Sequence, residues 1–243
     1  MTANGDQSLQ MGQFTESYVR ERGRKMYESG QARFGIDPGH TALIVVDMTD
    51  EFVKPHWTPY WIPEATRQVP RIRSLIDKFH EAGWPVIYSA DEDRLHALNI
   101  PEVVWLVPAG ESMADFPEVF TKVLIHEDLK PSEGDILLQK HGYGCFFQTS
   151  LDTILRRLEV TTIVICGTVT NICCGTTARE GFAYGYRVIF GSDVNSSDDP
   201  AQHEAEVRSL RRAFARIMTA AEIEAAIDET LVAERTKQAA GPG

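Results

Sequence analysis

The chain has 243 residues, of which 43% are hydrophobic, and its formal net charge is −11. This length suffices for one large α/β domain, or two small ones, with a substantial buried core. The net negative charge repels phosphate groups, so nucleic acid and anionic membrane are poor candidate partners.

The first 35 residues are predicted to form a partly helical extension that could take part in oligomer contacts. The N-terminus is polar and lacks the apolar core of a signal peptide. A charged helix is predicted at residues 16–30, in ESYVRERGRKMYESG. No apolar run in the chain approaches the roughly 20 residues that span a bilayer. The four cysteines lack the spacing of a disulfide framework, which favours a reducing cytoplasm.

Strand-like and helix-like segments alternate from about residue 41 to about residue 228. The strand candidates are continuous apolar runs, which indicate burial on both faces as in a parallel sheet. They lie at 41–47, 85–90, 135–140, 161–167, 186–193 and, as a short sixth, 215–218. Helical periodicity predicts helices at 69–82, 149–158, 174–184 and 204–214.

This β-α-β alternation predicts the fold class. We expect a three-layer α/β/α sandwich with a mostly parallel, about six-stranded, doubly wound sheet. The domain is expected to span residues 36–232, and residues 233–243 are expected to be a helix end that frays into a flexible tail.

Three reactive side chains lie at the ends of predicted strands. Asp47 ends the first strand, Lys140 ends the third, and Cys173 follows the fourth at the start of a helix. Right-handed crossovers bring the carboxyl ends of all strands to one edge, where such folds bind ligands, so we expect convergence. Each residue also has a purely structural alternative: a cap, a surface charge and a small buried residue, respectively.

Helix geometry distinguishes the two adjacent cysteines. Thr170 or Asn171 is a suitable N-cap, which would place Cys173 in the first turn near unpaired backbone N–H groups. The pKa of a thiol falls at such a position because the helix dipole favours the thiolate. Cys174 shares a helical stripe with Ala178, which predicts packing against the sheet.

Metal and cofactor motifs are missing from the sequence. His141 and Cys145, together with the pair Cys173 and Cys174, are the one four-ligand set considered. There is no C-x-x-C, H-x-x-x-H or D-x-H spacing, so we predict no metal site. There is also no G-x-S-x-G, G-x-G-x-x-G or G-K-[ST] motif, so we predict no cofactor.

Three segments resemble the isochorismatase-like cysteine hydrolases, a family that includes nicotinamidase, N-carbamoylsarcosine amidase, ureidoacrylate hydrolase and biuret hydrolase. The segments are ALIVVDMTDEF, DILLQKHGYGCFFQTSL and GTVTNICCGTTAREGFAYGYRVIFGSD, in the family's order between residues 41 and 218. The resemblance implies a catalytic triad made of Asp47, Lys140 and Cys173.

The resemblance also implies the arrangement around the nucleophile. Gly167 and Thr170 set the register of the family pattern, so the nucleophile falls on Cys173 and not on the next residue. A cis peptide is implied between Thr168 and Val169. The backbone N–H groups of Val169 and Cys173 would then form an oxyanion hole.

Two departures from the family pattern reduce the range of reactions that the resemblance implies. Gly144 stands where relatives often have serine after the tyrosine, and the metal-binding histidines of nicotinamidases are missing. True isochorismatases replace the nucleophilic cysteine, so Cys173 favours acyl transfer from C–N bonds. The resemblance therefore implies hydrolysis of a small linear amide or ureide, such as an N-carbamoyl or biuret-like compound, through a thioester. The alternatives are metal-free hydrolysis of a cyclic or aromatic carboxamide, and a catalytically silent binding module.

Aromatic residues after the first and third strands could line a small-molecule pocket or pack in the core. Family members are commonly dimers or tetramers, so the resemblance implies a homo-oligomer. The candidate substrate contacts are Phe52, Trp57, Trp61, Tyr143, Phe146, Phe147, Thr170 and Asn171.

Overall fold

A six-stranded, all-parallel sheet forms the centre of the fold. The computed structural model describes residues 12–91 and 125–239, so residues 1–11 of the predicted extension and 240–243 of the predicted tail lie outside it. The strands are β1 (Thr41–Val46), β2 (Val86–Asp91), β3 (Ile136–Lys140), β4 (Thr162–Thr168), β5 (Arg187–Ser196) and β6 (Arg216–Met218). Their order is β3-β2-β1-β4-β5-β6, which confirms the predicted fold class.

Seven α-helices accompany the sheet within the described ranges. They are α1 (Glu16–Ser29), α2 (Asp50–Val53), α3 (Pro63–Ala82), α4 (Leu151–Arg157), α5 (Gly175–Ala183), α6 (Pro200–Ala213) and α7 (Ala220–Ala239). Helix α3 begins at Pro63 and not at residue 69, since proline suits the first helical turn. Pro70 lies inside this helix, where proline usually ends one. Helix α7 continues through most of the predicted tail.

The helices cover both faces of the sheet and make two hydrophobic cores. Successive side chains of β1 point to opposite faces, so Leu43 and Val45 join one core while Ala42 and Ile44 join the other. Helices α3 and α7 pack on the first core, and α4, α5 and α6 pack on the second. Every residue of β1 is buried, which explains its continuous apolar sequence.

A bulge in β5 brings the end of that strand beside the end of β4. Ile165 pairs with Phe190, but Gly167 pairs with Asn195, so β5 carries extra residues between these pairs. The Asn195 side-chain amide closes the bulge by donating to the carbonyl oxygens of Ile165 (2.9 Å) and Gly191 (2.6 Å). This irregularity is why the strand continues past its predicted end at residue 193.

Helix α1 confirms the helix predicted at residues 16–30, and it lies on the surface of the domain. None of its residues is buried. It packs along α6, where the Arg211 guanidinium donates to the Glu28 carbonyl oxygen. Its apolar side chains Tyr18 and Val19 remain exposed. None of the helices in the described residues is long and apolar enough to span a membrane.

Candidate active site

Asp47 follows the central strand β1 and is held in place by its neighbours. It adopts a left-handed backbone conformation (φ 47°), and the residue is only 2% exposed. Ser89 at the end of β2 donates its hydroxyl to Asp47 Oδ1 (2.9 Å). The Thr168 hydroxyl donates to the Asp47 backbone carbonyl (2.8 Å). These contacts leave the Asp47 Oδ2 atom facing Lys140, the last residue of β3.

Lys140 joins the carboxylate of Asp47 to the thiol of Cys173. The residue is completely buried, so the surface-charge interpretation of this lysine is wrong. Its ammonium nitrogen lies 3.0 Å from Asp47 Oδ2 and donates to the Gly142 carbonyl oxygen at 3.0 Å. The same nitrogen lies 3.9 Å from Cys173 Sγ. The three predicted triad residues therefore meet at the carboxyl edge of the sheet.

The backbone after β4 forms a π-helical turn, Thr170–Cys174, before α5 begins at Gly175. The prediction that Thr170 or Asn171 caps a helix here is wrong. The capping position is Val169, and no side chain caps the turn. The wider turn closes through a hydrogen bond from the backbone N–H of Cys174 to the Val169 carbonyl oxygen (3.2 Å).

The adjacent cysteines both lie in the second core, but they differ in exposure and in polar contacts. Cys174 is fully buried in the second core, and burial raises the pKa of its thiol well above the usual range. Burial likewise raises the pKa of Cys166, and raises that of Cys145 to about 11. Cys173 retains 5% exposure and contacts Lys140. Among the four cysteines, this contact with an ammonium group distinguishes Cys173.

The end of β4 comes very close to β1. Gly167 has φ 131°, and a Cβ at this position would overlap the backbone of Val46, so only glycine fits. One residue further along, the peptide bond between Thr168 and Val169 is cis. The backbone thus has the form that the family resemblance implies at the position proposed for the oxyanion hole.

His203 is a neighbour of the site that sequence analysis did not select. Its Nδ1 lies 2.8 Å from the Thr170 hydroxyl and its Nε2 lies 3.1 Å from the Ser192 carbonyl oxygen. Burial lowers the pKa of His203, which favours the neutral ring. A carbonyl can only accept, so we assign the proton to Nε2 and let Nδ1 accept from Thr170. Ser192 lies in the β5 bulge, which periodicity does not reveal.

The aromatic residues after β1 are partly buried and engaged with neighbours. Trp61 donates its indole N–H to Thr66 Oγ1 (2.8 Å), and its ring centroid lies 4.4 Å from that of His56. Trp57 lies under the Lys54 ammonium at 5.3 Å. Phe52 packs against the first hydrophobic core. Their role as substrate contacts stays a prediction.

The aromatic residues after β3 differ in placement. Phe146 is 2% exposed and packs in the second core beside Tyr184 (5.2 Å between ring centroids) and Tyr186 (5.6 Å). Its role as a substrate contact stays a prediction. Phe147 is 58% exposed, and Tyr143 is half-buried against the second core. Within residues 12–91 and 125–239, no group of three His, Cys, Asp or Glu side chains could hold a metal ion.

Comparisons with known proteins cover most of the chain. A family model described as Isochorismatase domain matches residues 41–222. The ureidoacrylate amidohydrolase RutB of Caulobacter segnis is 29% identical over 194 residues, which are 73% of this chain and 78% of the relative.

Solved structures with the same fold include two informative neighbours. A cysteine hydrolase from Pseudomonas syringae pv. phaseolicola 1448A matches with a TM-score of 0.68 and 30% identity, covering 82% of this chain and 97% of that one. The N-carbamoylsarcosine amidase from Thermoplasma acidophilum matches with a TM-score of 0.60 and 31% identity, covering 76% of this chain and 98% of that one.

Proposed function

The chain belongs to the isochorismatase family of hydrolases, and from this premise we propose that it is a cysteine-dependent amidohydrolase of small linear amides or ureides. The observation that carries the proposal is the position of the Lys140 ammonium, 3.0 Å from the Asp47 carboxylate and 3.9 Å from the Cys173 sulfur. Relatives named ureidoacrylate amidohydrolase and N-carbamoylsarcosine amidase support the substrate class.

In the first half-reaction, the thiol of Cys173 becomes the nucleophile. Asp47 accepts the thiol proton, and the Lys140 ammonium stabilises the thiolate that forms. The thiolate adds to the substrate carbonyl carbon, and the backbone N–H groups of Val169 and Cys173 donate to the resulting oxyanion. One such donor typically contributes about 3 kcal/mol to the stability of the transition state. The C–N bond then breaks, and protonated Asp47 returns its proton to the leaving nitrogen.

In the second half-reaction, water hydrolyses the thioester on Cys173. Asp47 is a carboxylate again and accepts a proton from the attacking water. The tetrahedral intermediate expels the thiolate, which takes the proton back from Asp47. The products are ammonia or an amine and the acid released from the thioester. Lys140 keeps Asp47 oriented through both steps.

The test is ammonia release from a panel of N-carbamoyl compounds, biuret-like ureides and aromatic carboxamides. We expect Cys173→Ser to lower turnover at least about 1,000-fold while the fold persists, because loss of a nucleophile removes most of the acceleration. Cys174→Ala is the matched control, since this thiol is fully buried and burial raises its pKa well above the usual range. We expect that variant to keep turnover within a few-fold.

The outcomes separate the alternatives. Undiminished activity in Cys173→Ser would refute the nucleophile. A preference for aromatic carboxamides would favour the metal-free carboxamidase. Failure of iodoacetamide to label Cys173, together with no ammonia release from any compound, would favour a silent binding module.

A further inference from the structure

Lys140 and Cys173 meet although their strands are not neighbours in the sheet. Lys140 ends β3, which pairs with β2 alone among the described strands, while Cys173 follows β4. Strands β2 and β1 lie between them. The Lys140 ammonium also donates to the Gly142 carbonyl oxygen in the loop after β3. Loops are more mobile than strands, so contacts that hold this loop also help to place the ammonium near the sulfur.

Thr177 on α5 supplies the first of these contacts. It is fully buried, and its hydroxyl donates to the Cys173 carbonyl oxygen at 2.7 Å. The hydroxyl oxygen of Thr177 in turn accepts the backbone N–H of Cys145 at 3.1 Å. A single hydroxyl thus connects the backbone of the proposed nucleophile to the loop at residues 141–147, which follows Lys140.

Glu180 supplies the second contact, one turn further along the same helix. Residues three apart lie on one face of a helix, so Thr177 and Glu180 face the loop together. The Glu180 carboxylate accepts the backbone N–H of Phe146 at 2.9 Å, and the backbone of Phe147 also donates to it. Burial raises the pKa of Glu180, while the two backbone N–H groups and Lys140 oppose this shift because they favour the carboxylate. Hydrogen bonds to a carboxylate are stronger than those between neutral groups.

Gly144 is what allows the Glu180 carboxylate to sit beneath the loop. A Cβ at position 144 would overlap the carboxyl group of Glu180. Glycine at this position is therefore matched to Glu180. This gives a physical reason for glycine where the family resemblance leads one to expect serine.

We propose that Thr177 and Glu180 are positioning residues, which hold the loop at residues 141–147 against α5 and so keep the Lys140 ammonium beside the Cys173 sulfur. The inference rests on the proposed function, because it takes Cys173 as the nucleophile. Loosening either attachment would slow the reaction of the thiol while the sheet and its cores stay folded.

The experiment measures the rate at which iodoacetamide alkylates Cys173 in the full-length chain, followed by mass spectrometry of the peptide that contains it. Thr177→Val keeps the side-chain shape but lacks the hydroxyl, and we expect it to slow alkylation about tenfold or more, as small misplacements of reacting groups do. Thr177→Ser keeps the hydroxyl and is the matched control, with an expected rate within about threefold of wild type.

A second pair of variants tests the Glu180 attachment independently of Thr177. We expect Glu180→Ala and Gly144→Ala each to slow alkylation. The double variant should be no slower than Glu180→Ala alone, because the added methyl group finds room once the carboxyl group is gone. This pair decides the question if Thr177→Val does not fold.

Each failure has its own signature. If wild-type Cys173 reacts no faster than the same residue in urea-unfolded chain, the proposed function fails. The positioning role of Thr177 is refuted if Cys173 is alkylated as fast in folded Thr177→Val as in the wild type. It is also refuted if Thr177→Val and Thr177→Ser lower the alkylation rate equally. If the double variant slows alkylation by the product of the two single-variant factors, the role of Glu180 is refuted.

Discussion

Asp47 and Lys140 form an ion pair that is almost completely removed from water. Their side chains are 3% and 0% exposed. Burying two charges costs several kcal/mol per ion, and their attraction offsets this only when further hydrogen bonds satisfy both groups. The Ser89 hydroxyl and the Gly142 carbonyl oxygen supply such bonds. A buried pair of this kind is a weak way to stabilise a fold, so its presence is better explained by chemistry.

We expect Lys140→Met to lower the free energy of unfolding by about 3–5 kcal/mol, because it leaves the Asp47 carboxylate buried without its partner. Adding Asp47→Asn should restore most of the lost stability, since the remaining amide is neutral. Urea unfolding followed by circular dichroism measures both values, and neither variant should release ammonia. A double variant as unstable as Lys140→Met alone would contradict the account.

Among the secondary-structure elements, the π-helical turn Thr170–Cys174 is attached to its surroundings by side chains near its start. Thr170 bonds to His203 on α6, and the Asn171 side-chain oxygen accepts the Ser197 hydroxyl at 2.8 Å. His203 in turn donates to the Ser192 carbonyl in the β5 bulge. The turn that carries the proposed nucleophile is thereby connected to two neighbouring elements.

We expect His203 to make stability depend on pH. Burial lowers the pKa of His203 in the folded chain, although the hydrogen bond to the Ser192 carbonyl, together with Glu204 and Glu64, opposes the shift. The unfolded chain then binds the proton more readily, so the free energy of unfolding rises with pH up to the ordinary histidine pKa of about 6.5 and gains nothing from His203 above it. Replacing His203 by glutamine should remove this component.

Urea titrations of wild type and His203→Gln from about pH 5 to about pH 8 measure this difference. The stability gap between the two proteins should shrink as the pH falls, because only wild type carries the cost of protonating a buried imidazole. A gap that stays constant over this range would contradict the assignment of the neutral ring.

The sequence predicted the strands and the meeting of Asp47, Lys140 and Cys173, but not the π-helical turn. Strands buried on both faces need continuous apolar runs, and parallel topology then sets the edge at which their ends meet. No residue preference separates a π-helical turn from an α-helical one. The difference lies in which carbonyl the backbone N–H of Cys174 reaches.

The side-chain environment of the site was predicted less well than its triad. Phe146 and Phe147 are identical in chemistry, yet one is in the core and the other is exposed, because the conformation of the loop decides which ring turns inward. His203 escaped notice because its partners lie in a turn and a bulge that become neighbours only in the folded chain.

At the scale of the whole molecule, α1 lies outside the segment that the family model matches. The family match begins at residue 41, and α1 ends at Ser29 without burying any of its residues. Phe14, Tyr18, Val19 and Tyr27 expose apolar surface there. Exposed apolar surface of this kind often marks a protein interface, which supports the expectation that α1 contributes to subunit contacts.

We expect a chain that lacks residues 1–30 to form a smaller oligomer than the full chain while keeping its turnover, since the triad lies outside this segment. Sedimentation equilibrium measures the first property and ammonia release the second. The full-length double variant Tyr18→Ser and Val19→Ser keeps the helix and should show the same loss of assembly. An unchanged oligomer in both proteins would contradict a role for α1.

The pairing of β1 with β4 also sets how early the proposed site can assemble during synthesis of the chain. The hydrogen bond between Thr168 and Asp47 joins residues 121 positions apart in the chain. Such distant pairing forms later than local helices, because a long loop must first close. A nascent chain therefore remains without an assembled site until β4 and the Cys173 turn have left the ribosome and paired with a strand made much earlier.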